Sequence, residues 1–540
     1  SYGGSISGEH GDGQQRAEFL VKQYGETLIE AMREFKRIWD PDWKMNPGKV
    51  IDPYRIDENL RLGTNYNPPR LSTAFGYPED KGDFAHSALR CVGVGKCRVA
   101  QPVQTMCPSY QVTHEEKHST RGRAHLLFEM LQGEVITDGW QSREVYDALD
   151  LCLACKGCTN DCPVNVDMPT YKSEFLHHHY KSWRRWRPRY AYAFGFIDQA
   201  SRLASKFPEL ANFATQTPGI SAIAKLVAGI DQHRPLPQFA PMTLQQWFRQ
   251  RGGTANPNGR PVVLFPDTFN NHFHTEVGVA CVEAIEHAGW RVIMPEGHIC
   301  CGRPLYDYGF LDTARRYLHD TIDQLREHVR AGTPIVGMEP SCLAVFKDEL
   351  VKLLPHDDDA ERLRRNAYHF GEFFEKFEID APRLTRQAKL WGHCHQRATG
   401  GLDPDEQVLK RMGVEVESLT GGCCGLAGSW GFEKGKWQIS LDCGEQALLP
   451  AVRKAASETL VVADGFSCKT QIEHAPGTDR RALHLAEVMA LARDGGAPAQ
   501  PVSKPKPALA RRIVRTAAPL AAALAAAGVA GRRINAAARR

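Results

Sequence analysis

Four cysteines packed into one short loop carry the strongest chemical signal in this sequence. Residues 152–163 have the spacing C-x2-C-x2-C-x3-C-P, and the four thiols are those of Cys152, Cys155, Cys158 and Cys162. This spacing is typical of a cubane iron–sulfur cluster, where three thiolates hold one cluster and the fourth reaches a second. A zinc ribbon would need two separated C-x2-C pairs, and a c-type haem site would need a histidine directly after such a pair. The loop therefore predicts electron transfer.

A second cysteine run upstream repeats part of this order. Cys91, Cys97 and Cys107 stand for the first, third and fourth cysteines, and Val94 occupies the place of the second. If the runs exchange their fourth cysteines, one [4Fe–4S] set consists of Cys152, Cys155, Cys158 and Cys107. The remaining thiolates are those of Cys91, Cys97 and Cys162. Three thiolates suit a [3Fe–4S] centre or a [4Fe–4S] centre with a non-cysteine fourth ligand, and the sequence leaves that choice open.

Two further groups of thiols recur in the second half of the chain. Each has an adjacent cysteine pair followed by glycine, and a third thiol some forty residues later; the first group is Cys300, Cys301 and Cys342, and the second is Cys423, Cys424 and Cys468. The second group adds Cys394 upstream, whereas the first has Asn270 and Asn271 near the equivalent place and Cys281 displaced along the chain. Adjacent thiols on a turn suit a cluster or a redox dithiol. The second group could be a full ligand set, while the first could be a structural copy.

Strand and helix patterns surround these thiols. Buried-strand runs are predicted at 261–265 and 291–294, with a helix at 276–288 between them, and the same order recurs at 388–391, 405–412 and 414–417. This alternation predicts βαβ units and an internal repeat. Between the two cysteine runs, helices are predicted over 121–131 and 142–151. A further helix is predicted over 14–38, ending at Asp40-Pro41.

Length and composition set limits on the architecture. A chain of 540 residues is too long for one core, so several domains are expected. The net charge of +4 argues against nucleic acid as the main partner. Sixteen cysteines at metal-binding spacings, with no secretory signal, indicate a reducing cytoplasmic location. The expected organisation is a domain end (1–55), a linker (56–83), an α-helical ferredoxin-type domain (84–235), two cysteine-rich repeats (258–375 and 386–490) and a basic Ala-rich tail (495–540).

The tail suggests contact with a membrane surface. Residues 517–530 form a small-apolar run, preceded by Arg511, Arg512 and Arg515 and followed by Arg532 and Arg533. The run is too short to span a bilayer, but cations at both ends could hold it against anionic lipid on the inner face of the cell membrane. A disordered Ala-rich extension is the alternative.

Three segments carry a resemblance to a known family. Residues 7–11 (Ser-Gly-Glu-His-Gly), the helix after them and the Asn-Pro-Gly-Lys run at 46–49 resemble the end of an FAD-linked oxidase C-terminal domain. The paired cysteine runs resemble an α-helical ferredoxin module, and the repeats resemble CCG cysteine-rich domains. Together, over about residues 1–480, they resemble the fused FAD/iron–sulfur D-2-hydroxyacid dehydrogenases of the D-lactate and D-2-hydroxyglutarate type. We expect residues 1–55 to be the end of a larger domain whose FAD-binding body lies upstream.

The resemblance assigns roles to residues near the start of the chain. It implies that Glu9 helps to hold a divalent metal that orients the substrate, and that His10 removes the hydroxyl proton as hydride passes to FAD. It places Asn46 near the flavin. A neutral imidazole is a suitable base near pH 7, and a bound metal would acidify the hydroxyl.

The sequence thus predicts the electron-transfer portion of such a dehydrogenase, carrying electrons from FAD through iron–sulfur clusters to a quinone or another carrier. Its expected partners are the FAD-binding domain, a small 2-hydroxy acid and the acceptor, with no nucleic acid. Two alternatives remain open. One is a stand-alone iron–sulfur protein that partners a separate flavoprotein, and the other is a thiol/disulfide reductase of the heterodisulfide-reductase type acting at Cys423 and Cys424.

Overall fold

The computed structural model describes residues 3–60, 62–63, 66–99, 104–182 and 185–495, so almost the whole of the predicted tail lies outside the described residues. The chain divides into two compact units that part between Pro69 and Arg70. The first unit holds helices α1 (Gly13–Ala17), α2 (Leu20–Tyr24) and α3 (Glu26–Trp39). The single helix predicted over 14–38 is wrong, because the chain turns at Gly25, whose φ of 76° ends α2 before α3 begins.

The second unit opens with the cysteine module, which is helical. Ser119 caps α6 and Ser142 caps α7, each accepting a hydrogen bond from a first-turn amide, so the helices predicted at 121–131 and 142–151 are confirmed to within two residues. The α-helices of the module are α4 (Phe84–Leu89), α5 (Pro108–Thr113), α6 (Thr120–Gln132), α7 (Arg143–Asp150), α8 (Gly157–Asp161) and α9 (Met168–His179). Short 3₁₀ helices lie at Pro78–Asp80, Lys96–Arg98, Glu116–His118 and Gly139–Gln141.

Short helices then lead to the repeats: α10 (Arg189–Gly195), α11 (Ile197–Ala204), α12 (Pro208–Gln216), α13 (Ile220–Ala228) and α14 (Leu244–Gln250). Arg234 lies in the segment that connects α13 to α14 and fixes its position. Its buried guanidinium donates to the Gly431 carbonyl, to Gln471 Oε1 and to Ser440 Oγ, at 2.6 to 2.8 Å. Burial lowers the pKa of Arg234 to about 10. These bonds hold the connecting segment against the second repeat.

The first repeat contains a four-stranded parallel sheet in the order β2-β1-β3-β4. Val263 of β1 lies opposite Ile293 of β2 on one side and Ile335 of β3 on the other. Its elements are β1 (Pro261–Phe265), α15 (Thr268–His272), α16 (Thr275–His287), β2 (Arg291–Ile293), α17 (Arg303–Asp307), α18 (Leu311–Arg330), β3 (Ile335–Gly337), α19 (Pro340–Ala344), a π-helical turn (Val345–Glu349), α20 (Leu350–Leu353), α21 (Asp358–Asn366), β4 (Ala367–His369) and α22 (Phe370–Lys376).

The second repeat has a three-stranded parallel sheet in the order β6-β5-β7, the same arrangement as β2-β1-β3. Its elements are β5 (Gln387–Trp391), α23 (Cys394–Thr399), α24 (Asp403–Met412), β6 (Glu415–Leu419), a 3₁₀ turn (Trp430–Phe432), α25 (Trp437–Glu445), α26 (Leu448–Lys454), β7 (Leu460–Val462), α27 (Phe466–His474) and α28 (Leu485–Arg493). In both repeats the cysteine-bearing loops follow the carboxyl ends of the strands, which is the edge where parallel sheets place their sites.

The two sheets share one hydrophobic core. Val262 and Leu264 of β1 and Ala388 and Leu390 of β5 belong to the same cluster of buried side chains, together with Val462 of β7. Parallel strands covered on both faces are expected to read as continuous apolar runs, as β1 does. The shared core holds the thiol loops of one repeat in a fixed position relative to those of the other.

Candidate metal centres

The upstream cysteine run and the last cysteine of the downstream run meet around one small cavity. Cys91, Cys97 and Cys162 line it, and Val94, which replaces the second cysteine of the pattern, lines it too. The amide of Arg121 donates to Cys97 Sγ at 3.4 Å. If the two runs exchange their fourth cysteines, these three thiols form the second ligand set.

The other ferredoxin-type set is built on a loop with unusual backbone angles. Ala154 and Lys156 flank Cys155 at φ values of 51° and 58°, and Cys107 has a φ of 57°. Gly157 packs so tightly on the upstream run that an added Cβ would lie 2.9 Å from the amide nitrogen of Met106. The two cysteine runs are therefore in direct backbone contact at the peptide link between Thr105 and Met106, just before Cys107.

Three thiols of this set, those of Cys152, Cys155 and Cys158, interact electrostatically, whereas Cys107 interacts with Cys97 of the other set. Burial raises the pKa of Cys155 and of Cys158, and the neighbouring Cys152 adds to both shifts. The Thr120 amide donates to Cys107 Sγ at 3.0 Å. Interaction with Cys107 lowers the pKa of Cys97 to about 6, so Cys107 lies beside the other set. The two sets are thus neighbours, as electron transfer between them would require.

In the first repeat, Cys300, Cys301 and Cys342 lie together. Cys301 Sγ and Cys342 Sγ are 3.0 Å apart, and all three cysteines line one cavity. The expected equivalence of Asn270 and Asn271 with Cys394 needs correction. Thr268 begins α15 just after β1, as Cys394 begins α23 just after β5, and the Thr268 hydroxyl lies 3.7 Å from Cys300 Sγ.

Cys281 is separate from this group. It lies on α16, fully buried, with its sulfur 4.0 Å from Nδ1 of His484. Burial raises the pKa of its thiol, and the acidic Asp464 nearby adds to the shift. Cys281 is therefore a core residue beside a polar cluster.

In the second repeat, four buried thiols form a connected group. Cys423 interacts with Cys394 and with Cys424, and Cys424 interacts with Cys468. The interactions with Cys423 and Cys468 hold the pKa of Cys424 well below its usual range. A thiol with a lowered pKa ionises more readily to the thiolate, and the thiolate is the form that binds metal or attacks a disulfide.

The ferredoxin-type loop and both repeats meet at one carbonyl group. Nε2 of His395, the residue after Cys394, lies 2.9 Å from the carbonyl oxygen of Ala154, the residue before Cys155. Nη2 of Arg303, which begins α17 after the first cysteine pair, donates to the same oxygen at 3.4 Å. Burial raises the pKa of Cys155 most, and among its neighbouring ionisable groups Cys394 adds most to that rise. Sequence reasoning missed this junction, because its polar residues are neighbours of cysteines and carry no motif of their own.

Lys156 ties the loop to the first repeat. Its side chain is 1% exposed, and its ammonium nitrogen pairs with Asp348 and lies 3.0 Å from Glu349 Oε1. Despite burial, these carboxylates raise the pKa of Lys156 above its ordinary value. The lysine remains charged within the cluster-binding loop, so it would favour extra negative charge there.

In the described part of the chain, no group of three His, Cys, Asp or Glu side chains lies close enough together to bind a single metal ion. A mononuclear zinc site holds each sulfur about 2.3 Å from the metal. An iron–sulfur cluster carries its ligands on the outside of a larger core. The donor type, thiols on tight loops, fits clusters.

Glu9 and His10 lie in the first unit, where their side chains are 91% and 81% exposed and 3.5 Å separates Oε1 from Nε2. Asn46 lies on a turn with a φ of 46° and is also exposed. The structure brings Glu9 and His10 together, and it places Asn46 on another loop of the same unit.

Comparison with known families identifies three kinds of domain. Residues 1–50 match the C-terminal domain of FAD-linked oxidases, residues 87–166 match a 4Fe-4S dicluster domain, and residues 266–347 and 394–473 each match a cysteine-rich domain. These are the domains predicted from the sequence. The predicted internal repeat and the two cofactor classes, FAD and iron–sulfur clusters, are confirmed at this level.

The similar proteins include dehydrogenases. The chain is 28% identical over 90% of its length to D-2-hydroxyglutarate dehydrogenase of Pseudomonas putida and 26% identical over 89% to that of Escherichia coli. It is 25% identical over 55% of its length to one of the proteins of the anaerobic glycerol-3-phosphate dehydrogenase of Escherichia coli, matching 75% of that protein. The chain spans 51% of the length of each of the two D-2-hydroxyglutarate dehydrogenases. Within the described residues, no helix combines the length and apolar character needed to cross a bilayer.

Proposed function

We propose that this chain is the electron-transfer portion of a flavin-dependent D-2-hydroxyacid dehydrogenase acting on D-lactate or D-2-hydroxyglutarate. The observation that carries the proposal is the junction at the Ala154 carbonyl, where a ferredoxin-type loop meets both cysteine-rich repeats. The names of the similar dehydrogenases support the substrate class. Bound iron–sulfur clusters supply one-electron carriers between a two-electron flavin and an acceptor.

Four groups of cysteines are proposed as ligand sets. The first is Cys107, Cys152, Cys155 and Cys158, which suits a [4Fe–4S] cluster. The second is Cys91, Cys97 and Cys162, which suits a [3Fe–4S] cluster or a [4Fe–4S] cluster with another ligand. The third and fourth are Cys394, Cys423, Cys424 and Cys468 in the second repeat, and Cys300, Cys301 and Cys342 in the first. Thr268 occupies the fourth position of the first repeat, and this supports a weaker or structural role there.

At the start of the chain, His10 is proposed as the base for the substrate hydroxyl, with Glu9 as a ligand to a divalent metal and Asn46 near the flavin. Glu9 and His10 are exposed and adjacent, so they are available to a substrate bound against an FAD-binding domain. The domain limits 1–55, 84–235, 258–375 and 386–490 are part of the proposal. The parallel pairs β1–β2 and β5–β6, each with helices between its strands, support βαβ-type repeats.

The test is anaerobic reduction by substrate of the chain joined to an FAD-binding domain of the relatives' type. We expect D-2-hydroxyglutarate or D-lactate to bleach the visible absorption of the clusters after the flavin, whereas the L-enantiomers should not. The same protein with Cys155→Ser should reduce its flavin normally and fail to pass electrons onward. Flavin reduction with clusters that stay oxidised in the unchanged protein would contradict the proposal.

A further inference from the structure

A mostly apolar cavity of about 210 Å³ lies at the junction of the thiol sets. Cys394, His395 and Arg303 lie on its wall, and aromatic rings form much of the rest. Phe269 stacks on Phe466 with ring centroids 4.7 Å apart, and both rings line the cavity. A dry cavity of about 150 Å³ admits benzene. This larger cavity therefore has room for a small aromatic molecule beside a thiol of the second repeat.

Two buried polar atoms on this wall have no hydrogen-bond partner among the described residues: Nε of Arg303 and Nδ1 of His395. The residues are 5% and 7% exposed. Nε2 of His395 lies 2.9 Å from the Ala154 carbonyl, which can only accept, and 3.2 Å from Arg303 Nη2, which can only donate; the shorter contact places the proton on Nε2 and leaves Nδ1 as an acceptor. Leaving such atoms unpaired costs about 1–3 kcal/mol each. Both atoms are covered by neighbouring side chains, so a ligand oxygen would reach them, as one donor and one acceptor, after those side chains shift.

We propose that this cavity binds a quinone, with a carbonyl oxygen accepting from Arg303 and, after reduction, a hydroxyl donating to His395. The proposal rests on the proposed function, which supplies the electrons. Bound iron–sulfur clusters would supply two electrons, one at a time, and two water molecules would supply two protons and become hydroxide ions. The two carbonyl groups of the quinone become two hydroxyl groups, and the clusters are reoxidised by the loss of the same two electrons.

The test uses menadione as the quinone and two variants that fill the cavity, Ile197→Trp and Thr215→Trp. Both residues line it. Val135→Trp is the matched control, because Val135 is 76% exposed and lies outside the cavity lining. Equilibrium dialysis of the oxidised holoprotein should show at least tenfold weaker menadione binding in each filling variant and no change in the control. Rapid mixing of dithionite-reduced protein with menadione should show a similar slowing, while reoxidation by ferricyanide stays constant.

The outcomes separate this proposal from the proposed function. Menadione binding needs neither hydroxy acid nor flavin, so it stands or falls independently of substrate oxidation. Equal menadione binding in the filling variants and the control would overturn the quinone site. Reoxidation by a soluble aromatic disulfide but not by menadione would also overturn it and favour a thiol/disulfide reaction.

A second observation concerns the outer surface of helices α11 to α13. Six apolar side chains here are more than half exposed: Leu203, Phe207, Leu210, Ile223, Leu226 and Val227, at 57% to 68%. Contiguous exposed apolar surface marks an interaction site. Arg202, Lys206 and Glu209 are exposed on the same segment, and its Asp198 is buried against His298, so these exposed side chains carry a net positive charge.

We infer that this surface, the α11–α13 face, seats on an anionic lipid bilayer. Apolar side chains beside lysine and arginine are the composition of helices that lie in the membrane interface. The same helices contribute Ile197 and Thr215 to the cavity, so a lipid-soluble acceptor would enter close to the bilayer. This membrane contact is separate from the one that the sequence predicts for residues 508–540.

Co-sedimentation with vesicles of phosphatidylglycerol and phosphatidylcholine tests this face. The double variant Leu210→Ser/Ile223→Ser should reduce the bound fraction at least fivefold, and Val135→Ser, at a site 76% exposed elsewhere, should leave it unchanged. Deletion of 508–540 separates the tail from the face. Loss of all binding on that deletion alone, or no binding by the unchanged chain, would overturn the inference.

Discussion

Replacement of Cys155 by serine should remove roughly half of the iron held by the cysteine module. Two clusters bring about seven to eight iron atoms to residues 84–235, and Cys155 serves only one of them. The loss should therefore be about three to four atoms per chain, measured anaerobically by iron analysis, with a matching loss of visible absorption. Because Cys155 also lies beside Cys394, electron transfer into the second repeat should be lost together with the iron.

Cys281→Ser provides the matched control for this experiment. Cys281 is equally buried but belongs to none of the thiol sets, so its replacement should leave the iron content unchanged. Unchanged iron in Cys155→Ser protein, or zinc in its place, would refute the two-cluster arrangement. Equal loss in both variants would show that any buried Cys→Ser change unfolds the chain.

In the protein joined to an FAD-binding domain, His10→Ala should slow flavin reduction by about 100-fold or more, which is the contribution of a positioned general base. Stopped-flow measurement of flavin absorbance with a D-2-hydroxy acid gives this rate directly. Added imidazole should restore part of the rate to the variant, since the missing group is an imidazole.

The exposed His319 supplies the comparison, and His319→Ala should reduce flavin at the normal rate. Near-normal flavin reduction by His10→Ala protein would place the base on another residue. Iron content should be the same in all of these proteins, because His10 lies in the first unit and belongs to none of the thiol sets.

The thiols could be predicted from the sequence because cluster ligation demands cysteines at fixed spacings on tight loops. The strands of the repeats were equally accessible, since β1 and β5 lie within one residue of their predicted bounds. The breaks between helices were harder to predict from the sequence. The apolar pattern continues through Gly25, and the backbone angle of that residue separates α2 from α3. The equivalence of Thr268 with Cys394 was not predicted. It depends on the number of residues after the end of the preceding strand, not on the residue type.

The junction at Ala154 could not have been predicted, because it joins residues far apart in the chain. The arginine and histidine that meet at the Ala154 carbonyl come from different repeats, and only the shared core of the two sheets brings them together. Sequence spacing reports which residues share a loop. It does not report which loops face one another.

The buried Lys156 has a consequence for how the protein matures. The lysine sits inside the loop that receives a cluster, yet its neutralising carboxylates come from the π-helical turn of the first repeat. A nascent chain that has made only the cysteine module lacks those two carboxylates, so the lysine of its loop is left to the solvent. The loop therefore reaches its final electrostatic environment only when the first repeat has folded, which links the charge around this cluster site to completion of downstream synthesis.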